Sequence, residues 1–334
     1  MAPFLFTISG LLLLLNVTTV SFAFSPPMSL RKNKASSGEG ASLQQAMQPL
    51  SSNKKRDSVI LYSKHPLVTS TAIFASMNFA GFIISLITKS HVHLDLIGTG
   101  AFAVAALAPL LMGNPAAPVN GRILVSSAAV AVWGTKLASF LFYRALMLQH
   151  DARLTATLST VPGTATFWFI SFLWGFLCSL PHTLGTTSKA AGSFPYTLAG
   201  SVLFGLGLTM ETVADAQKWW FKSNHVGKFC NIGVWSISQH PNFFGNLLLW
   251  FGILVINVPA LDKKRLAMAL LSPLFMGMLF YGQATGAMLT TVEMAKVKYG
   301  NQLGYAEYLA ETPLIVPNFW KLVFGSASVS SKAS

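Results

Sequence analysis

The sequence predicts an all-α protein, a multi-pass transmembrane bundle of about seven helices. Of its 334 residues, 52% are hydrophobic and only 10% are charged, whereas soluble domains carry about 25% charged residues. The apolar residues also occur in blocks of about twenty, the length of helix that spans a bilayer core. Because a spanning segment must satisfy its own backbone hydrogen bonds in lipid, these blocks are helices rather than strands.

A targeting leader precedes the first hydrophobic block. Residues 1–23 have the apolar core and small-residue end of a secretory signal peptide, and residues 24–63 are Ser-rich, basic and acid-poor, like a transit peptide. The two parts in tandem, with Phe24 at the junction, resemble the bipartite plastid-targeting leader of algae with secondary plastids. We therefore expect a plastid membrane protein. The alternative is an ordinary signal peptide and residence in the endoplasmic reticulum membrane.

Seven mature hydrophobic blocks follow, joined by short connections and without an internal repeat. Basic residues occur in connections at both ends of the bundle, so the positive-inside rule favours neither orientation. Residues 323–334 are predicted to form a disordered tail. The blocks are Leu67–Ile87, Leu94–Met112, Ile123–Leu148, Thr164–Leu180, Tyr196–Val213, Phe243–Val258 and Leu266–Met288.

Composition also disfavours several other classes of protein. Much of the net charge of +13 lies in the leader, so it does not indicate a nucleic-acid partner. Cys178 lies in a hydrophobic block and Cys230 in a polar connection, and without a CxxC pattern we predict neither disulfides nor a thiolate zinc site. His91, His93 and Asp95 alternate before the second block but lack an obvious fourth ligand, which favours hydrogen-bonded histidines over a metal site.

Two cationic residues interrupt the third block, where a charge at mid-bilayer costs about 2.5–3.5 kcal/mol on insertion scales. Lys136 and Arg144 are eight residues apart, about 80° around a helix, and so can share one interior face. The alternative is that both side chains extend from the span to the interface, which suits Arg144 better than Lys136.

A stripe of four charged residues ends the fifth block. Spacings of four, three and four place these residues on one face of a helix. Two acids followed by two bases offer acceptors for ribose or amide groups and cations for phosphate. The alternative is a solvated helix end with i,i+4 ion pairs. The stripe consists of Glu211, Asp215, Lys218 and Lys222.

The polar connection from Phe221 to Asn246 is a candidate cofactor site at a membrane boundary. It contains histidines, asparagines and lysines with glycines between them, and glycine lets the backbone approach a ligand closely. Pro241 marks the entrance to the next helix and leaves backbone donors near it free for a ligand.

The end of this connection carries a specific motif. The run GVW…SQHPNFFGN…WFG between Gly233 and Gly252 resembles the "GLW…SRHPNYFGE…WWG" motif of membrane proteins with the steroid 5-alpha-reductase C-terminal-like domain. That family includes uncharacterised bacterial and algal members and is related to isoprenylcysteine carboxyl methyltransferases. Matching residues extend from residue 123 to residue 320. We therefore divide the mature chain into N-terminal membrane spans, 64–122, and a reductase-like membrane domain, 123–322.

The resemblance implies a cofactor cleft built from the last spans and their connections. Steroid and sterol reductases bind NADPH there and reduce a lipid carbon–carbon double bond, whereas the methyltransferases bind S-adenosylmethionine and methylate a lipidated carboxylate. In the reductases an Asn-x3-Asp-x6-Arg pattern contacts the cofactor. Glu211, Asp215 and Lys222 stand at the matching positions of this chain.

Three departures from the motif bear on activity. The family's Arg, Tyr and Glu are replaced by Gln239, Phe243 and Asn246. A glutamine cannot replace the bidentate phosphate contact of an arginine. Either the cofactor contacts are rebuilt, for example through Lys222 and Lys228, or the chain has lost catalysis.

We expect an NADPH-dependent membrane oxidoreductase that reduces a carbon–carbon double bond of a lipid, isoprenoid-like or steroid-like substrate, with an acid that protonates the neighbouring atom. The alternatives are S-adenosylmethionine-dependent methyl transfer and a non-catalytic protein that keeps the fold. The residues assigned to the cofactor are Lys222 and Lys228 for phosphates, Glu211 and Asp215 for ribose or nicotinamide, His240 and Asn242 for its body, and Lys136 and Arg144 from the third block. The candidate proton donors are Tyr299, Tyr305 and Tyr308.

Overall fold

The structure is a computed structural model that describes residues 65–112, 119–148, 154, 158–287 and 291–320. These residues form helices and connections, with no strand among them. Seven candidate spans are long and apolar enough to cross a membrane, which confirms the predicted all-α multi-pass bundle. The predicted leader and the predicted C-terminal tail lie outside the described residues and stay predictions.

The helices alternate in direction along the bundle. α7 and α8 together form one span, and the helix is interrupted at Leu270 because Pro273 cannot donate a hydrogen bond to the preceding turn. In chain order the helices are α1 (Pro66–Thr88), α2 (Leu94–Leu111), α3 (Gly121–Leu148), α4 (Val161–Thr186), α5 (Phe194–Asn224), α6 (Pro241–Asn257), α7 (Lys263–Ala269), α8 (Leu271–Thr285), α9 (Thr291–Tyr299) and α10 (Tyr305–Glu311).

Two helices extend beyond the hydrophobic blocks that predicted them. α4 begins at Val161 because the Thr160 hydroxyl accepts a hydrogen bond from Gly163 N, 3.2 Å away. α5 continues past Val213 to Asn224, so the charged stripe belongs to the same helix as the apolar block. Hydropathy predicts where a run of apolar residues ends, but these two helices continue past that point.

Glycines bring α5 and α6 into backbone contact. A Cβ atom added to Gly200 would lie 2.6 Å from the carbonyl oxygen of Gly252, and one added to Gly207 would lie 2.6 Å from that of Gly245. Small residues allow such an approach between membrane helices, where dispersion forces drive packing. The contact fixes the stripe of α5 beside the motif-bearing start of α6.

An aromatic cluster joins four helices at the centre of the bundle. The ring of Phe102 on α2 lies 5.0 Å from that of Trp133 on α3 and 4.8 Å from that of Trp174 on α4. Trp250 on α6 lies 5.0 Å from Trp133. Edge-to-face and tilted rings at these distances attract one another beyond their area burial. Residues of 64–122 and of 123–322 thus share one core.

A buried polar network closes the end of the bundle opposite α9 and α10. Arg122, only 2% exposed, donates to Asn257 Oδ1 at 2.6 Å and to the carbonyl of Gly185 at 3.1 Å. Asn257 in turn donates to the Ser126 hydroxyl at 2.8 Å, which lies 2.9 Å from His182 Nδ1. Because α3, α4 and α6 all contribute, the network holds these three helix ends together.

The histidines before α2 take part in packing. His93 Nε2 lies 2.9 Å from the Ser85 hydroxyl, which also accepts a hydrogen bond from Trp168 Nε1 at 3.0 Å. The His93 ring stacks on Trp168 with centroids 6.0 Å apart. The predicted hydrogen bonding of His93 is confirmed. These three side chains link the C-terminal end of α1 and the N-terminal part of α4 to the start of α2.

Candidate functional site

A cavity of about 590 Å³ lies between α3, α5, α6 and α8, and α9 and α10 cover it. This volume is typical of ligand and cofactor sites. Leu137, Phe140 and Phe280 contribute apolar walls, and Trp174 joins the cavity to the central aromatic cluster. The motif-bearing start of α6 and the charged stripe of α5 both face it.

Lys136 bridges the two acids of the stripe from the neighbouring helix. Its ammonium lies 3.6 Å from Glu211 Oε2 and 3.5 Å from Asp215 Oδ2. Glu211 Oε1 also accepts hydrogen bonds from Asn246 Nδ2 at 2.7 Å and from Trp133 Nε1 at 3.4 Å. Lys136 thus faces α5, the first of the two positions considered for it. Among the described residues, Glu211 and Asp215 form their ion pairs with α3 and none with a base of α5.

The structure gives Asn246, one of the departures from the motif, a defined partner. Its side-chain amide donates to Glu211 Oε1 at 2.7 Å, so a carboxamide on α6 is paired with a carboxylate on α5. Asn246 therefore holds Glu211 in place beside Lys136.

The two bases of the stripe lie over aromatic rings. Lys218 lies over the ring of Trp235, with its ammonium 4.0 Å from the centroid. Lys222 donates to the carbonyl of Lys228 and, at 2.8 Å, to the Tyr299 hydroxyl. Within the described residues neither lysine forms an ion pair with an acid, so both charges are available to an anionic ligand.

The cavity wall carries more positive than negative side chains. Its acidic side chains are Glu211 and Asp215, and the ammonium of Lys136 neutralises part of the negative charge of both. Five cationic side chains line the cavity. They are Arg144, Lys218, Lys222, Lys296 and Lys298.

Two of the predicted cofactor residues do not line the cavity. Lys136 lies behind Glu211 and Asp215 and acts through them. The side chain of Lys228 is exposed to solvent, and only its backbone carbonyl reaches the site, through Lys222. The reason is local, since Gly227 adopts a positive φ of 81° that turns the chain just before Lys228.

His240 and Asn242, two of the predicted cofactor residues, line the cavity at the start of α6. The ring of His240 stacks on Phe243 at 4.7 Å, and Phe243 stacks on Phe280 of α8 at 4.6 Å. Burial, with a contribution from nearby Lys218, lowers the pKa of His240 to about 3, so this imidazole is neutral near pH 7. The buried oxygens Asn242 Oδ1 and Asn246 Oδ1 accept no hydrogen bond from any described residue.

All three predicted tyrosines line the cavity, but their hydroxyls differ. Tyr308 donates to the carbonyl of Trp235 at 2.9 Å, and Tyr299 accepts from Lys222. Tyr305 is 7% exposed and packs against Phe229 with centroids 5.1 Å apart. Burial raises the pKa of both Tyr305 and Tyr308, so each hydroxyl holds its proton.

Gln239, which replaces the motif's arginine, anchors the segment that covers the cavity. Its side-chain amide donates to the carbonyls of Leu309 and Thr312 at 3.0 and 2.6 Å, and its backbone N–H donates to that of Pro313 at 2.8 Å. These carbonyls end α10, where a helix leaves acceptors without an internal partner. Gln239 therefore caps the covering helix, a role that the motif alone did not indicate.

Several cavity residues were missed by sequence reasoning. Lys218 was visible as the third member of the charged stripe, and Asn246 as a departure within the motif. Trp235 belongs to the GVW run of the motif but had no role assigned to it, and Cys230 gave no signal of its own, since thiol side chains in a polar connection are common. Their place in the site depends on how the connection folds back over α5, where Trp235 Nε1 donates to the Ala214 carbonyl at 2.8 Å.

Comparison with known proteins places the chain in a family. Searches of the curated proteins and of the solved structures each found no match. Residues 81–312 match DUF1295, a family described as proteins of unknown function. The match begins within α1, earlier than the motif resemblance from residue 123, and it includes the whole cavity wall up to α10. Because the match covers more than half of the sequence, the chain belongs to the DUF1295 family.

Proposed function

We propose that this protein is an NADPH-dependent reductase of a carbon–carbon double bond in a lipid, isoprenoid-like or steroid-like substrate. The observation that carries the proposal is a cavity within a membrane bundle whose wall combines an excess of cationic side chains with an apolar aromatic surface. An anionic cofactor and an apolar substrate need these two surfaces side by side. Bound NADPH would supply the hydride.

The charge of the cavity favours NADPH over S-adenosylmethionine. NADPH carries a pyrophosphate and a 2′-phosphate, which the cationic side chains of the lining attract, whereas S-adenosylmethionine carries a positive sulfonium and no phosphate. Lys218 and Lys222 are the strongest candidates for the phosphates, because within the described residues neither forms an ion pair with an acid, whereas Lys296 pairs with Glu293. Methyl transfer of a lipidic carboxylate remains the second candidate, supported by the motif resemblance.

The amide groups of α6 fit a cofactor that presents N–H donors. Two buried carboxamide oxygens, Asn242 Oδ1 and Asn246 Oδ1, line the cavity without a donor among the described residues. An unpaired buried acceptor costs about 1–3 kcal/mol. The carboxamide of a nicotinamide ring supplies N–H groups of the kind these oxygens lack. Glu211, held by Lys136 and Asn246, would accept from the same end of the cofactor.

Tyr305 is the best of the three candidate proton donors. The proton of Tyr308 is engaged with the Trp235 carbonyl, and Tyr299 is tied to Lys222 beside the proposed phosphate position. Tyr305 lines the cavity, and within the described residues nothing accepts its hydroxyl proton. A donor must hold its proton until the substrate accepts it, which the raised pKa of Tyr305 favours.

The test is a thermal-shift titration of the purified protein with NADPH, NADH and S-adenosylmethionine in parallel. A ligand that binds only the folded state stabilises it by about 2.7 kcal/mol at a concentration 100 times Kd. We expect stabilisation by NADPH, weaker stabilisation by NADH, and none by S-adenosylmethionine. Lys222→Ala should abolish most of the NADPH shift, whereas Lys264→Ala, an exposed lysine at the opposite end of the bundle, should keep it.

Other outcomes assign the site differently. Stabilisation by S-adenosylmethionine alone would move the assignment to methyl transfer. No stabilisation by any of the three, from a protein that unfolds cooperatively, would favour the non-catalytic alternative. An NADPH shift that Lys222→Ala and Lys264→Ala reduce equally would show binding outside the cavity.

A further inference from the structure

The walls of the cavity differ in how tightly their helices pack. Between α5 and α6 the backbones are in contact, because Gly207 faces Gly245 without room for a side chain. Between α6 and α8 the rings of Phe243 and Phe280 stack at 4.6 Å and are both buried. These two seams are closed by groups that fill the available space, as in a close-packed protein interior.

The seam between α3 and α5 is bridged by long side chains instead. Lys136 reaches Glu211 and Asp215 at ion-pair distances of 3.6 and 3.5 Å. Nearer the C-terminal ends of both helices, the ring of Tyr143 meets the indole of Trp219 edge to face, with centroids 5.8 Å apart. Between these two contacts the seam depends on side chains that can change rotamer.

At this ring contact the indole of Trp219 separates the cavity from Tyr143. Trp219 lines the cavity, and Tyr143, which packs against it, is 48% exposed on the outer surface of the bundle. α3 contributes Leu137, Phe140, Leu141 and Arg144 to the lining beside this seam. Three of these four side chains are apolar. Displacement of the two rings would therefore connect a largely apolar part of the cavity, bordered by Arg144, with the surroundings of the bundle, which for a membrane span are lipid.

The water-facing side of the cavity is covered separately. Lys222 holds Tyr299 of α9, and Gln302 donates to the carbonyl of Gly227 at 2.8 Å. Gln239 caps α10. Lys222, Lys296 and Lys298 lie on this covered side, through which a polar cofactor would approach the cavity. Arg144 and Lys218 directly adjoin Tyr143 and Trp219 in the sequence and line the cavity next to the seam.

We propose that the seam between α3 and α5 is a lateral portal, closed by the rings of Tyr143 and Trp219, through which an apolar lipid passes from the bilayer into the cavity. The portal rests on the proposed function, since it deepens the lipid half of that proposal. Passage through the side keeps the apolar substrate out of water, which favours this route. Rotation of two side chains opens the portal without separating the helices that hold the site.

Cys230 provides a reporter for this route, because it lines the cavity and is only 7% exposed. The protein is placed in lipid nanodiscs and treated with N-cyclohexylmaleimide, which partitions into lipid, or with a charged, membrane-impermeant thiol reagent. Burial raises the pKa of the Cys230 thiol, so both reactions are run at mildly alkaline pH. Peptide mass spectrometry separates Cys230 from Cys178, which is fully buried in the bundle.

We expect Trp219→Ala and Tyr143→Ala each to accelerate labelling by the lipid-soluble reagent by roughly two- to tenfold, the factor that an aromatic pair contributes. Neither variant should change labelling by the charged reagent. Trp220→Ala is the matched control, since this neighbouring tryptophan is 56% exposed and does not line the cavity. Tyr143→Ala, a change on the surface, keeps the test valid should Trp219→Ala fail to fold.

Unchanged lipid-soluble labelling in both variants would overturn the portal. Equal acceleration of both reagents would overturn it as well, because it would show a general loosening of the fold. The assay needs neither cofactor nor turnover. A failed portal therefore leaves the NADPH titration unaffected, and a failed titration leaves the labelling result interpretable.

Discussion

At the scale of single residues, the site depends on a carboxamide paired with a buried carboxylate. Asn246 of α6 donates to Glu211 of α5, and this hydrogen bond, 2.7 Å long, lies beside the ion pair with Lys136.

This hydrogen bond predicts a specific pattern of stability. Asn246→Glu places a second carboxylate against buried Glu211, so we expect a clear drop in the thermal unfolding midpoint. Asn246→Leu removes the donor and should cost about 1–3 kcal/mol. The double variant Glu211→Asn with Asn246→Glu restores one carboxylate and one carboxamide, and should recover most of the lost stability. Differential scanning fluorimetry of the detergent-solubilised variants measures all three.

A double variant no more stable than Asn246→Glu alone would contradict this expectation. That result would mean that the surroundings of Lys136 and Trp133 accept a carboxylate only on α5.

At the scale of the elements, the glycines of α5 decide where the charged stripe lies. Gly207 packs on the α6 backbone, and a Cβ there would lie 2.6 Å from the Gly245 carbonyl oxygen. Two residues earlier on the same helix, Gly205 has open space around its Cβ position. The helix periodicity places these two glycines on different faces, only one of which packs against α6.

This difference predicts opposite effects of one substitution. Gly205→Ala should stabilise α5 by roughly 0.5–1 kcal/mol, because alanine has the higher helix propensity and meets no neighbour. Gly207→Ala should lower the unfolding midpoint, since the added methyl group forces α5 and α6 apart and displaces Glu211 from Asn246. Thermal unfolding compares the two variants directly. Similar midpoints for both would mean that the two helices separate without cost.

At the scale of the whole molecule, two histidines tie stability to pH, the buried His93 and the partly buried His240. Burial lowers the pKa of His93 to about 4 and that of His240 to about 3. In the unfolded chain both side chains titrate near pH 6.5. Between the unfolded and folded pKa values the unfolded chain binds more protons, so stability is complete above about pH 6.5 and falls as the pH decreases toward 4.

For His93 alone, the expected loss of folding free energy approaches about 3 kcal/mol near pH 4. The unfolding midpoint of the protein, measured from pH 8 down to pH 5, should therefore decline below about pH 6.5. His93→Gln keeps a polar group near Ser85 without a titrating ring and should flatten part of the decline. A decline of the same size in that variant would assign the pH dependence to other groups.

The apolar blocks by themselves determined the all-α class and the seven spans, because only a helix of about twenty apolar residues satisfies its backbone across lipid. The HPN-containing motif and the spacing of the stripe likewise identified Asp215, Lys222, His240 and Asn242 before any contact was known. These features are local in sequence, and periodicity is sufficient to place them on one helix face or one helix end.

Only the tertiary structure decided which partners those residues have. Lys136 pairs with the acids of α5, Asn246 complements Glu211 and Gln239 caps α10, although more than thirty residues separate the members of each pair. The side chain of Lys228, placed in the site by its sequence position, lies outside it because a glycine turn redirects the chain. Side-chain partners depend on packing between distant helices, and a single sequence carries no direct record of that packing.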